Sequence, residues 1–164
     1  MRSLMIIWLL LFSCTAHGQS FSSSTSGNVD IYSVLNLNII NLSGVVSFNT
    51  PNDYFSGQTI NNSATIAIKS NVSWQVSVSA QSAFFQPMTT GASTNMPASV
   101  IGIRRNGSSN FVGLSTGGAT LKTGSRGNAN VSGNTFDIDM SLSPGFEYNG
   151  GIYNIGILYT LTQQ

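Results

Sequence analysis

The sequence predicts an all-β protein: an Ig-like antiparallel β-sandwich of about seven to nine strands behind a secretory leader. Three observations predict it. Apolar residues recur with a period of two along most of the chain. Gly, Asn, Ser and Pro punctuate these runs at short intervals, as turns between strands require. Beyond the first residues no useful stretch carries the 3.6 period of an amphipathic helix, and no internal repeat is visible.

The chain opens "MRSLMIIWLLLFSCTAHGQS". Arg2 supplies a positive start, residues 4–12 form an apolar run too short to span a bilayer, and "AHG" is a small-x-small cleavage signal. Residues 1–18 therefore read as a signal peptide, cut between Gly18 and Gln19. "LFSC" also resembles a bacterial lipobox, which would make Cys14 a lipidated first residue; the large Phe12 before Ser13 fits that poorly, and cleavage before Gln19 is the preferred reading. No later apolar stretch is long enough to cross a membrane as a helix.

Residues 19–28, "QSFSSSTSGN", are a Ser-rich lead without periodicity and read as a flexible arm. Residues 29–164 read as one β-sandwich domain, a length able to bury a core. In "NVDIYSVLNLNII", Val29, Ile31, Leu35, Leu37 and Ile39 share a face, with Ser33 its one polar member. Val46 and Phe48 share a face in "GVVSFNT", as do Ile66 and Ile68 in "SATIAIKS". "NVSWQVSVSA" sets Val72, Trp74, Val76, Val78 and Ala80 against Ser73, Gln75, Ser77 and Ser79. "SVIGIRRNG" and "NFVGLS" flank Asn106-Gly107, a hairpin signal. "NTFDIDMSL" sets Phe136, Ile138, Met140 and Leu142 against Thr135, Asp137, Asp139 and Ser141. "GIYNIGILYTLTQ" aligns Tyr153, Ile155, Ile157, Tyr159 and Leu161. In a sandwich the apolar face of each strand enters a shared core and the other meets water.

Trp74 sits on the apolar face of the best-patterned strand, so it reads as the packing centre of a core rather than a platform for a sugar.

Composition narrows function. Removing the leader removes Arg2, His17 and Cys14 and leaves Lys69, Arg104, Arg105, Lys122 and Arg126 against Asp30, Asp53, Asp137, Asp139 and Glu147, a net charge of zero. Charged residues make up 7% of the chain, against about 25% in a typical globular protein. No basic field exists to gather nucleic acid or an anionic membrane. A surface of Ser, Thr, Asn, Gln and Gly hydrogen-bonds well and repels poorly, which suits a protein that associates with others. Without cysteine there is no disulfide framework, so stability rests on packing and the backbone ladder.

The absence of His and Cys after residue 18 excludes Ser-His-Asp and Cys-His catalysis and zinc sites of the usual kind. No cofactor or metal is expected, and no catalytic residue is assigned. Two carboxylates carry a remote alternative: Asp137 and Asp139, two apart on a strand, place their Cα atoms about 6.6 Å apart on one face, near the spacing used in glycoside hydrolysis. The plainer reading is a solvated polar face, or pairing with Arg104 or Arg105 on a neighbouring strand. Asn49, Asn52 and Asp53 in "FNTPNDYFSGQ" offer oxygens for calcium, but one carboxylate is too few, and the segment reads as a turn built from Pro51, Asn52 and Asp53. N-x-Ser sequons at Asn41, Asn61, Asn71, Asn106 and Asn130 are what chance supplies in so Asn- and Ser-rich a chain, and the leader has a bacterial character.

Two stretches carry a resemblance. "SWQVSVSA" resembles the first W-x-L-type motif of WxL-like surface domains, and "GGIYNIGILYTLTQ" is similar to their closing strand, which typically ends in W-T-L-T. Val76 stands where Leu is usual and Tyr159 where the second Trp is usual. The motif residues are then Trp74, Val76, Val78, Tyr159 and Leu161. The resemblance implies a secreted, cysteine-poor β-sandwich of a bacterial surface, attached non-covalently to the cell wall. "MPASVIGIRRNG", "LKTGSRGN" and "FDIDMSLSPG" resemble secreted bacterial sandwiches more broadly, including spore-coat-U-type and fimbrial subunits. That likeness implies assembly by strand exchange, with "VDIYSVLNLNI" as a donor strand or, alternatively, as an ordinary first strand of its own domain. Fimbrial subunits often have a disulfide, which residues 19–164 lack.

The sequence therefore leads to a non-catalytic secreted or cell-surface protein of structural or adhesive role. Its expected partners are cell wall, envelope glycan, surface proteins or further copies of itself.

Overall fold

The computed structural model describes residues 26–40 and 44–164. The expected signal peptide, its expected cleavage position at Gly18 and Gln19, Cys14 and most of the expected Ser-rich arm lie outside the described residues. The chain divides into two compact units, Met1–Ile31 and Tyr32–Gln164. In the first, residues 26–31 have no regular secondary structure, and Val29 and Ile31 are 82% and 81% exposed.

The second unit is mostly β, and all its strand pairs are antiparallel. Its elements are β1 (Leu35–Ile40), α1 (Pro51–Ser56), β2 (Gln58–Ser70), β3 (Trp74–Ala80), β4 (Gln86–Pro87), β5 (Ile101–Arg105), β6 (Val112–Gly113), β7 (Ala119–Gly124), β8 (Thr135–Leu142), β9 (Tyr153–Asn154) and β10 (Ile157–Gln163), with a 3-10 turn at Ala98–Val100. A five-stranded sheet runs β1-β2-β8-β5-β6, a three-stranded sheet runs β10-β3-β7, and β4 pairs with β9. Among the described residues no helix is long and apolar enough to cross a membrane.

Alternation becomes burial most clearly in β3, which has a neighbour on each side. In β3, Trp74, Val76, Val78 and Ala80 are buried and the residues between them are half-buried. Ile66 and Ile68 of β2, Ile103 of β5 and Ile138 of β8 are fully buried, and these side chains of the large sheet share one cluster with Trp74, Val76 and Val78 of the small one. The indole of Trp74 stacks on the ring of Phe136, centroids 6.5 Å apart and planes 4° from parallel. Lys122 places its ammonium 4.7 Å from the centroid of the same Phe136 ring. Opposite Trp74 in the β3–β7 ladder stands Gly124, where a Cβ would collide with three atoms of the indole. The indole lies over a strand position that has no side chain, and its Nε1 donates to the carbonyl of Ser125 at 2.9 Å.

Three expected elements differ. The expected strand from residue 29 begins only at Leu35. Asn71 explains the boundary: its side chain accepts from the Val34 N–H at 2.7 Å and donates to the Tyr32 carbonyl at 2.7 Å, taking the bonds a strand partner would supply. Residues 44–49 are not a strand, although Val46 and Phe48 are partly buried. The turn expected at Pro51 is the helix α1, with Thr50 as N-cap, Pro51 in its first turn, and a reciprocal capping box between Thr50 and Asp53. The Asn106-Gly107 hairpin forms, but β5 and β6 rejoin at Ile103 and Val112, so its loop is wider than a two-residue turn. Within it Ser108 N–H donates to the Arg105 carbonyl at 3.0 Å, with Gly107 at φ +83.

Gly124→Ala is expected to destabilise the fold by about 1–3 kcal/mol in urea unfolding, because the added methyl displaces the indole. Gly117→Ala, where a Cβ approaches only the Ser115 hydroxyl at 3.9 Å, is expected to change stability by less than about 0.5 kcal/mol.

Candidate functional site

The residues singled out by the sequence fall into three places. Trp74, Val76 and Val78 are interior. Tyr159 and Leu161 lie opposite Val78 and Val76 in the β10–β3 ladder and are half-buried. Tyr159 lines a cleft of about 220 Å³ together with Ser63, Phe85, Ile101, Met140 and Ile157. Burial pushes the Tyr159 phenol up to about 12, so it is a neutral hydroxyl at any physiological pH.

The two carboxylates of β8 separate by environment. Asp137 is partly exposed and accepts from the Thr65 hydroxyl at 2.6 Å. Asp139 is only 1% exposed, though it lies on the strand face away from the core. Two features cover it. The first is an irregularity in β2, where pairing jumps from Ile60–Met140 to Ala64–Ile138, so residues 61–63 stand out of the ladder. Asn62 sits there at φ +52, a conformation Asn tolerates better than most residues. The second is the β5–β6 loop, whose Phe111 ring lies 4.3 Å from the Arg104 guanidinium carbon.

Every contact of Asp139 is with a donor. Its Oδ1 accepts from the Asn62 backbone N–H at 3.0 Å and from Asn106 Nδ2 at 3.1 Å, and its Oδ2 accepts from Arg104 Nε at 3.0 Å. Arg104 and Asp139 are direct partners in the β5–β8 register, the pairing anticipated for the polar face. Burial works against ionisation of Asp139, but the Asn62 N–H, the Asn106 amide and the Arg104 guanidinium outweigh it and hold the carboxyl below its ordinary value. A carboxylate held this way is a poor proton donor. Chemically it is an anchor that ties the β2 irregularity and the β5–β6 loop to β8.

Of the residues considered for calcium, Asp53 and Asn52 have side-chain oxygens engaged at the helix start. Asp53 Oδ2 accepts from the N–H groups of Thr50 at 2.8 Å and Asn49 at 2.9 Å, which holds its carboxyl low, and Asn52 Oδ1 accepts from the Ser56 hydroxyl at 3.4 Å.

Two clusters were not singled out by the sequence. Tyr54 stacks on Phe146 at 5.4 Å and packs against Phe48 at 5.3 Å, with Phe146 68% exposed and neighbouring Phe55 85% exposed. Loops 88–97 and 143–152 are tied together by side chains: Asn149 N–H donates to the Ser93 hydroxyl, Ile152 N–H to the Thr89 hydroxyl, and the Tyr153 hydroxyl to the Asn149 carbonyl while it accepts from Ser93 N–H.

No protein-family model matches this chain, and a comparison with curated proteins returns no match.

Arg104→Ala is expected to cost about 1.5–3 kcal/mol, since it leaves a buried carboxylate without its charged partner. Because Asp139 titrates below its ordinary value of 3.8, its contribution to stability is complete above that pH and is lost as pH falls through the folded-state value. Acid unfolding should show this as a loss beginning below about pH 4 in the wild type and smaller in Asp139→Asn, where Asp53, also held low, still contributes.

Proposed function

We propose that this chain is an exported, non-catalytic protein of a cell surface, structural or adhesive in role, built as an Ig-like β-sandwich and associated with cell wall, envelope glycan or other surface proteins. The observation that carries this reading is the character of the exterior. It bears very few charges, yet it presents large apolar side chains such as Phe55, Phe146, Val29 and Ile31. Little electrostatic repulsion and much exposed apolar area favour association. The W-x-L-type motif at Trp74 and the "YTLT" stretch support the same reading by their likeness to WxL-like surface domains.

Assembly by strand exchange, the fimbrial alternative, is favoured by a specific observation. Residues 29–34 keep a strand's alternation, stand exposed, and lead directly into β1, an edge strand whose own pairing begins at Leu35. Among the described residues β10 also pairs on one side only. An extended segment of this composition is suited to add to an open sheet edge of another molecule, with main-chain bonds giving affinity and alternate side chains giving register.

Fractionation of producing cells, with sequencing of the new N-terminus, tests export. The expected outcome is a chain beginning at Gln19 in the envelope fraction, and an unprocessed chain in the cytosol would contradict it. Size-exclusion separates the two forms of association. Strand exchange predicts polymers that are lost in Val29→Asp/Ile31→Asp, whereas surface binding predicts a monomer that sediments with envelopes equally well with and without those changes.

A further inference from the structure

We propose that Asn106 is a site of spontaneous deamidation, and that the hydrogen bonds around Asp139 set its rate. Asn106 is exposed and is followed by Gly107, around whose Cβ position nothing lies within 4 Å. A residue without a side chain leaves its backbone nitrogen open to approach the preceding carboxamide. In the reaction the Gly107 nitrogen attacks Cγ of Asn106. The N–Cγ bond forms as the nitrogen gives its proton to water, and the Cγ–Nδ2 bond breaks as Nδ2 takes a proton and leaves as ammonia. Water then opens the five-membered ring at either carbonyl, giving aspartate or isoaspartate. Water is the only co-reactant, and no redox change occurs.

The fold opposes the first step. A carboxamide nitrogen has two hydrogens. Both are engaged here, one with Asp139 Oδ1 at 3.1 Å and one with Asn62 Oδ1 at 3.1 Å. The Asn106 backbone N–H is held as well, on the Asp137 carbonyl at 2.8 Å. The assignment of nitrogen and oxygen is fixed chemically, because the Asp139 carboxylate can only accept. Attack therefore waits for an opening in which the Asn106 side chain leaves both partners.

The product cannot return to the same place. A carboxylate at position 106 offers no donor to Asp139 or Asn62, and it sets a second negative charge beside a buried one that has a single guanidinium partner. Deamidation would thus release the β5–β6 loop from β8 and add one negative charge to a surface that has few. Asn149-Gly150 supplies an internal comparison: among the described residues its carboxamide has a single acceptor, the Gly91 carbonyl at 3.0 Å.

The test is peptide mass spectrometry after incubation of the full chain at mildly alkaline pH, folded and in urea, counting aspartate plus isoaspartate at positions 106 and 149. In urea the two sites should react at similar rates. In the folded chain Asn106 should be slower than in urea by at least about tenfold, as expected for a reaction that requires local opening, and slower than Asn149. Asn62→Ala should raise the Asn106 rate several-fold and leave Asn149 unchanged; a rise at both sites would report general unfolding, in which case the wild-type comparison of folded and unfolded chain decides. Equal rates at Asn106 in the folded and urea-unfolded chain, or a folded Asn62→Ala chain no faster than wild type, would overturn the proposal.

Discussion

The placement of one indole governs the interior. Trp74 occupies a strand of the small sheet, reaches the large sheet at Phe136, and lies over the glycine opposite it in its own sheet. A tryptophan side chain is the largest apolar unit a chain can bury, and it also carries a donor that must be satisfied. Here Ser125, the residue after Gly124, supplies the acceptor. Both conditions are thus met at the end of β7, by Gly124 and the Ser125 that follows it. Residues 19–164 contain no cysteine, so no disulfide substitutes for this packing.

A second constraint acts on the opposite face of the large sheet. A buried carboxylate is tolerable only when donors surround it. Asp139 collects three from three separate segments: the strand beside it, the loop beyond that strand, and the irregular part of β2. Segments far apart in sequence meet at one side chain, and register is fixed there by charge rather than by apolar fit. Among the described residues every buried side-chain nitrogen and oxygen has a partner, so the polar groups taken out of water do not subtract from the packing.

The interior strands were legible because their two faces differ. β3 and the second half of β2 bury the alternate residues that the pattern picks out, and β8 does so at Phe136, Ile138 and Met140. The same pattern misleads at Val29, Ile31, Val46 and Phe48, since alternation shows that a segment fits a sheet and not that a partner is present. Helix α1 is shorter than two turns of periodicity, but Thr50-Pro51 followed by Asp53 is a readable capping box. The burial of Asp139 was half legible. Arg104 was expected across from the β8 carboxylates, whereas the cover supplied by residues 61–63 depends on a break in register that only the paired strands reveal. The polar run Asn61-Asn62-Ser63, which interrupts the alternation of β2, is the trace it leaves in the sequence. The aromatic contact of Tyr54 with Phe146 joins distant loops and has no local signature.

The most direct test of the buried indole uses the chain carrying Trp8→Phe, in which Trp74 is the sole tryptophan. Its emission should lie at short wavelength in the folded state, and iodide should quench it several-fold less than in the same chain in urea. Emission at the wavelength of a hydrated indole, with equal quenching in both states, would contradict an interior organised around Trp74.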